Sequence, residues 1–122
     1  MKRRLIFILA VLLVRLCPAV ELRDLKVLYV GNAQSARAAD FKAFLSTNVA
    51  RVAVAARVGF DPATAGAFDV VVLDWSQSER PVGFPPRKSP LGERSPWTKP
   101  TVLLGSAGLH IAIVWDVKGG FG

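Results

Sequence analysis

Three short stretches hold the residues that could do chemistry: Gly31-Asn32, Asp74-Trp75 and Gly105-Ser106. Ser106 is a possible nucleophile, and the sole histidine of the chain, His110, stands four residues beyond it. A serine made reactive on a sharp strand-to-helix turn uses the pattern Gly-x-Ser-x-Gly, and Leu104-Gly-Ser-Ala-Gly108 lacks the first glycine. The base of a catalytic triad also arrives as a rule from a later segment, so His110 reads as a packed helix residue. Asp74 closes an apolar run and could hydrogen-bond a polar ligand, while the Trp75 indole could stack on a sugar ring. Gly31-Asn32 stops the first strand, at the carboxyl end where ligands of parallel α/β sheets sit. The expected ligand-binding set is therefore Gly31, Asn32, Asp74, Trp75 and Ser106, with Ser106 as the one catalytic candidate.

These residues need elements to carry them. Residues 25–30 read as a strand stopped by Gly31-Asn32. A helix follows from the N-cap Ser35 to about Thr47, with Ala38, Phe41, Phe44 and Leu45 on its apolar face and Arg37, Asp40 and Lys42 on the wet side. Residues 51–57 form a strand of small residues flanked by arginines, which suits an edge. Asp61 caps one or two helical turns that begin at Pro62. The continuous run 69–74 marks a strand covered on both faces, at the centre of the sheet. Six of the eight prolines fall in 76–100, which predicts a loop without regular structure. Its length suits a functional loop or an interaction surface, with a poorly ordered excursion as the alternative. Residues 101–105 make a fourth strand; in 109–117 Ile111, Ile113, Trp115 and Val117 alternate as in a strand, but its place after a strand and turn favours a buried helix ended by Gly119-Gly120, with a strand as the alternative. Strands alternating with helices give an α/β fold with a short parallel sheet in the order 2-1-3-4, and ligands of such sheets sit at the carboxyl ends of the strands.

The first nineteen residues read as a signal-peptide helix preceding the domain. Lys2, Arg3 and Arg4 precede an unbroken apolar run of ten residues, Leu5 to Val14, and Ala19 suits the position before a cleavage site. That run is shorter than the roughly 20 apolar residues a membrane span needs. The expected location is exported, periplasmic or extracellular, with an uncleaved N-terminal membrane anchor as the alternative. A lipidated Cys17 is disfavoured by Arg15 and Leu16 in the two places before it. Removal of the segment takes the only cysteine, which excludes disulfides, thiolate catalysis and cysteine-bound metals from the rest. It also takes four of the sixteen basic residues and none of the nine acidic ones, so a formal charge of +7 falls to +3. That modest excess, spread over a loop, does not suit nucleic acid as a partner. Membrane contact is expected only through the signal segment during export. Neither a Gly-x-Gly-x-x-Gly nor a Gly-x-x-x-x-Gly-Lys stretch is present, and no cofactor is expected.

Two family resemblances bear on these residues. Phe68-Asp-Val-Val-Val-Leu-Asp-Trp75 resembles the third strand of response-regulator receiver domains, and Ser106 matches that family's hydroxyl residue. The first strand, however, ends in Gly31-Asn32-Ala33, where receivers carry the acidic residues that hold a divalent cation. From Lys26 to Gly122 the chain resembles class I glutamine amidotransferase-like domains of the trehalose-utilisation (ThuA-like) type. Lys26-Val-Leu-Tyr-Val-Gly31, the 68–75 stretch, Thr101-Val-Leu-Leu-Gly-Ser-Ala-Gly108 and the Lys118-Gly-Gly120 turn carry that resemblance. It implies a flavodoxin-like three-layer sandwich. The family nucleophile is a cysteine where this chain has Ser106, and the later segment that would supply histidine and acid has no counterpart, so a triad is not carried over.

The expectation is one exported amidotransferase-like domain, 20–122, that binds a small polar ligand or a protein partner and is not catalytic. The alternatives are a serine hydrolase using Ser106 and a truncated fragment of a longer protein. Cleavage after Ala19 predicts that protein recovered after export begins at Val20. Intact-mass analysis checks this, and retention of Met1 to Ala19 would favour the membrane anchor.

Overall fold

A computed structural model describes residues 20–79 and 87–117 of the chain, so the signal expectation and the Gly119-Gly120 turn lie outside the described residues. Four strands, β1 (Lys26–Gly31), β2 (Arg51–Ala56), β3 (Val70–Trp75) and β4 (Thr101–Gly105), form one sheet in the order β2-β1-β3-β4. Every pairing is parallel, with Val27 beside Val52 and Val70, and Leu73 beside Leu103. The order 2-1-3-4 expected from the alternation of strands and helices is the order found. Asp69 ties the start of β3 to the start of β1, accepting from the Lys26 amide at 2.8 Å and donating its own amide to the Lys26 carbonyl at 2.8 Å.

Side chains alternate along β1 and β3, so each strand feeds two cores. On one face Val27, Tyr29 and Val72 pack with helix α1 (Ala36–Ser46) through Ala38, Phe41 and Leu45. Ala38 is fully buried, and its small side chain lets the helix approach the sheet closely. The helix starts where expected because the Ser35 hydroxyl accepts from the Ala38 amide at 3.1 Å, a cap worth about 1 kcal/mol. It ends where Thr47 and Asn48 turn their side chains back onto the Phe44 carbonyl, each at 2.8 Å. Phe44 departs from the expected apolar face and is 65% exposed, since the stripe that meets the sheet is filled by Ala38, Phe41 and Leu45.

On the other face Leu28, Val30, Val71, Leu73 and Trp75 pack against helix α2 (Ala107–Val114) and a 3₁₀ turn, Pro62–Ala67. Asp61 caps that turn by accepting from the Ala63 amide at 3.0 Å, and Ala65 and Phe68 close the core beneath it. Helix α2 begins two residues before the expected 109 and ends three before 117. It buries only Ala107, His110 and Ile111, leaving Leu109 and Ile113 exposed, so it covers the sheet with one face instead of being buried all round.

The described part of the proline-rich stretch, 87–100, contains no helix or strand but is docked. Leu91 is fully buried in the core, Trp97 donates to the Thr101 hydroxyl at 2.9 Å, and Trp115 donates to the Gly92 carbonyl at 2.9 Å. Among the described residues β4 pairs only with β3, and Val102 and Leu103, on opposite faces, are 48% and 40% exposed.

Among the described glycines the tightest surroundings are at the end of β4, where Gly105 has φ +64° and a Cβ would lie 2.3 Å from the Trp75 carbonyl oxygen. Gly105→Ala is therefore expected to cost at least about 2 kcal/mol through strain and overlap. Gly66→Ala, where a Cβ meets nothing within 4 Å, should be close to neutral. Urea unfolding midpoints of the two variants check this difference.

Candidate functional site

The chain leaves β1 towards β2 and then crosses to β3 on the other side of β1, which puts the switch point of this sheet between β1 and β3. Asp74 stands near the carboxyl end of β3 beside that point. It is 3% exposed, and burying a carboxylate is costly unless partners replace its water. Two partners do so. The guanidinium of Arg37, in the first turn of α1, donates Nε to Oδ2 at 2.6 Å and Nη2 to Oδ1 at 3.0 Å. The phenol of Tyr29 on β1 donates to Oδ2 as well.

The protonation states follow from this cluster. Burial pushes the Asp74 carboxyl up, but the hydrogen bonds from Arg37 and Tyr29 and the charges of Arg37 and Arg57 outweigh it, leaving it below the usual carboxylate value. Burial, with the hydrogen bond to Asp74 and its negative charge, drives the Tyr29 phenol well above its ordinary value. Arg37 is held charged above its usual range by the hydrogen bond to Asp74. Both oxygens of Asp74 are thus engaged by the protein itself. Arg37 was expected on the wet side of α1; its side chain is 47% exposed, and its head is turned in to the carboxylate.

Trp75, the next residue, points to the opposite face because strand side chains alternate. Its indole is buried, with the Arg57 guanidinium 3.9 Å from the ring centroid and the His110 ring 3.9 Å from it. Two groups that close to one centroid must lie on opposite sides of the ring. The indole Nε1 donates to the Glu79 carbonyl at 2.7 Å, and the Glu79 carboxylate accepts from Arg57 Nη2 at 2.6 Å. Burial, then the nearby charge of Arg57, lowers the His110 value below that of an ordinary histidine.

A cleft of 510 Å³ opens between the carboxyl ends of β1 and β2, lined by Gly31, Asn32, Gln34, Arg57, Ser78 and Glu79 among others. This is within the range of about 300–1,000 Å³ usual for small-molecule sites. The turn entering it is held by Ser35, whose amide and hydroxyl both donate to the Asn32 carbonyl, at 3.0 and 2.7 Å. A smaller cleft of 330 Å³, mostly apolar, lies between β4, α2 and the 87–100 stretch, with Trp97 and Trp115 in its walls.

Of the residues singled out from sequence, Gly31 and Asn32 line the larger cleft. Trp75 is buried behind Arg57 and is not itself in the wall, and Asp74 faces α1 on the other side of the sheet. Ser106 caps α2 from the neighbouring strand end. Its amide donates to the Trp75 carbonyl at 2.7 Å, its carbonyl accepts from the His110 amide at 3.1 Å, and its hydroxyl makes no capping hydrogen bond. The five residues are near in the fold but do not meet in one crevice. Among the described residues no group of three or more His, Cys, Asp or Glu could hold a metal ion. Sequence reasoning missed Tyr29, Arg37, Arg57 and Glu79. One signal was available: an arginine in the first turn of α1 opposes the helix dipole, which calls for a nearby anion, and Asp74 needed a cation.

Compared with known proteins, the chain matches no family model, no curated protein and no solved structure. Function is therefore read from the geometry of these groups.

Both Asp74 and His110 bind protons more readily in the unfolded chain than in the folded one. Stability is accordingly expected to be full above roughly pH 6.5 and to fall as the solution is acidified, with the Asp74 share lost below roughly pH 4. Asp74→Asn should cost about 1–3 kcal/mol near neutral pH, and the gap to wild type should narrow in acid. Urea midpoints measured across that pH range check both statements, and a constant gap would contradict them.

Proposed function

We propose that the chain is an exported amidotransferase-like domain, built as a flavodoxin-like three-layer sandwich, that binds a small polar ligand at the carboxyl ends of its strands and carries out no reaction. The observation that carries this reading is the 510 Å³ cleft at the strand ends, with Asn32, Gln34, Arg57, Ser78 and Glu79 among its lining residues. These residue types carry both donors and acceptors, which suits a polar solute. Asp74, the one buried carboxylate among the described residues at this end of the sheet, has both oxygens bound by Arg37 and Tyr29 and acts as a fastening.

No helix among the described residues is long and apolar enough to cross a membrane. The basic-then-apolar run of residues 2–14 supports export. A protein partner is the second reading, favoured by β4, which among the described residues pairs only with β3 and has Val102 and Leu103 exposed on its two faces. A serine hydrolase using Ser106 is the competing activity, and one set of assays addresses it together with ligand binding.

Thermal-shift titration of the purified protein with sugars, polyols, amides and amino acids should give a saturable rise in melting temperature, weakened by Asn32→Ala. Ester hydrolysis should stay at background and be unchanged by Ser106→Ala. Failure of every ligand, together with turnover abolished by Ser106→Ala, would replace this reading with the hydrolase.

A further inference from the structure

Two arginines hold carboxylates at this end of the sheet, and they hold them differently. Arg37 presents the Nε and Nη2 edge of its guanidinium to Asp74, with one N–H for each carboxylate oxygen. Arg57 offers Glu79 only Nη2, at 2.6 Å from Oε2, and its Nε is buried without a hydrogen-bond partner among the described residues. A guanidinium cannot shed its charge, and a buried N–H left without an acceptor is destabilising. The fork of Arg57 is thus one acceptor oxygen short of the arrangement that Arg37 completes.

Arg57 is also held ready. Its side chain is 12% exposed, and its guanidinium lies 3.9 Å from the centroid of the Trp75 ring, which is backed by His110. Stacking leaves the N–H bonds at the rim of the planar group, where bidentate recognition of a carboxylate takes place. Arg57 and Glu79 both line the 510 Å³ cleft, and Asn32, Gln34 and Ser78 are also among its lining residues. Glu79 is the more exposed partner, at 28%, and follows a turn in which its amide donates to the Ser76 carbonyl at 3.0 Å. Its side chain can therefore turn to water while its backbone carbonyl stays on the Trp75 indole.

We infer that the cleft takes a small polar carboxylate, bound on the Nε and Nη2 edge of Arg57, and that Glu79 occupies this edge as an internal stand-in until the ligand displaces it. The inference rests on the reading of the cleft as a polar-ligand site and names the class of ligand. Exchanging one carboxylate for another keeps Arg57 neutralised throughout, so the ligand does not have to create a buried ion pair from two solvated ions. Its second oxygen satisfies Nε, and the amides of Asn32 and Gln34 are at hand for hydroxyl or amino groups on its body.

The test titrates acetate, glycolate and succinate against the melting temperature of the purified protein, with sodium chloride holding ionic strength constant. Wild type should show saturable stabilisation, and Glu79→Gln should reach half-saturation at about tenfold lower carboxylate. Arg57→Lys, which keeps the charge but lacks the fork, should lose the response. Should that variant not fold, the Arg57 Nε–H resonance of wild type provides the second measurement and should move downfield as carboxylate is added. Flat carboxylate responses in both wild type and Glu79→Gln overturn the inference, as does stabilisation by inorganic phosphate alone. Binding of neutral sugars or amides without any carboxylate response overturns the carboxylate assignment and leaves the polar cleft standing, whereas silence from every class removes both.

Discussion

Asp74 carries a full charge to the end of a central strand at a depth where water cannot solvate it, and it stays ionised only through groups sent by other elements. An unpartnered carboxylate there would cost several kcal/mol. Arg37 reaches it from the first turn of α1 and Tyr29 from the neighbouring strand, so one carboxylate joins β1, β3 and α1 at the switch point of the sheet. Arg37 sits against the favourable sense of the helix dipole, a cost of about 0.3–1 kcal/mol, which a bidentate charge-assisted pair offsets. Gly31 is part of the same fit, since a Cβ there would come within 3.1 Å of three atoms of the Tyr29 ring and hydroxyl.

The alternation of strand side chains then divides the carboxyl end of the sheet into two regions with different character. Tyr29, Val72 and Asp74 face α1, where both Asp74 oxygens are bound by Arg37 and Tyr29. Leu73 and Trp75 face α2, where the indole supports Arg57 next to open space. Adjacent residues thus serve separate ends. Asp74 closes the fold on one face, and Trp75 places a cation at the cleft on the other. A buried, stacked arginine whose Nε has no hydrogen-bond partner among the described residues has the preorganisation that lowers the cost of binding an acceptor.

The two edges of the sheet differ as well. β2 is made of small residues and begins at Arg51, an exposed charge of the kind that discourages pairing, whose guanidinium lies 5.5 Å from the centroid of the Phe68 ring. β4 offers Val102 and Leu103 to solvent beside an apolar cleft built from Trp97 and Trp115. The 87–100 stretch is fastened to this side by Leu91 and by the two tryptophan N–H groups, which explains how a proline-rich segment without regular structure keeps a defined course.

Residues close together in the chain were enough to place the four strands, the helix after Ser35 and their order, but they left 109–117 open between helix and strand. The apolar run of β3, the Ser35 and Asp61 caps and the strand-helix alternation act over a few residues, and hydrogen bonding and periodicity at that range lead to a parallel sheet in the order 2-1-3-4. The same local rules located Gly31 and Asn32 at a strand end. They misplaced Phe44, because a helix face is chosen by what it packs against, and they grouped Asp74 with Trp75, although adjacent strand residues face opposite sides. Only the tertiary structure decided that Arg37 belongs to Asp74, 37 residues away, and Arg57 to Glu79, 22 away. A partner at that distance is selected by strand register and by which face each side chain takes, and both are settled when the elements pack together.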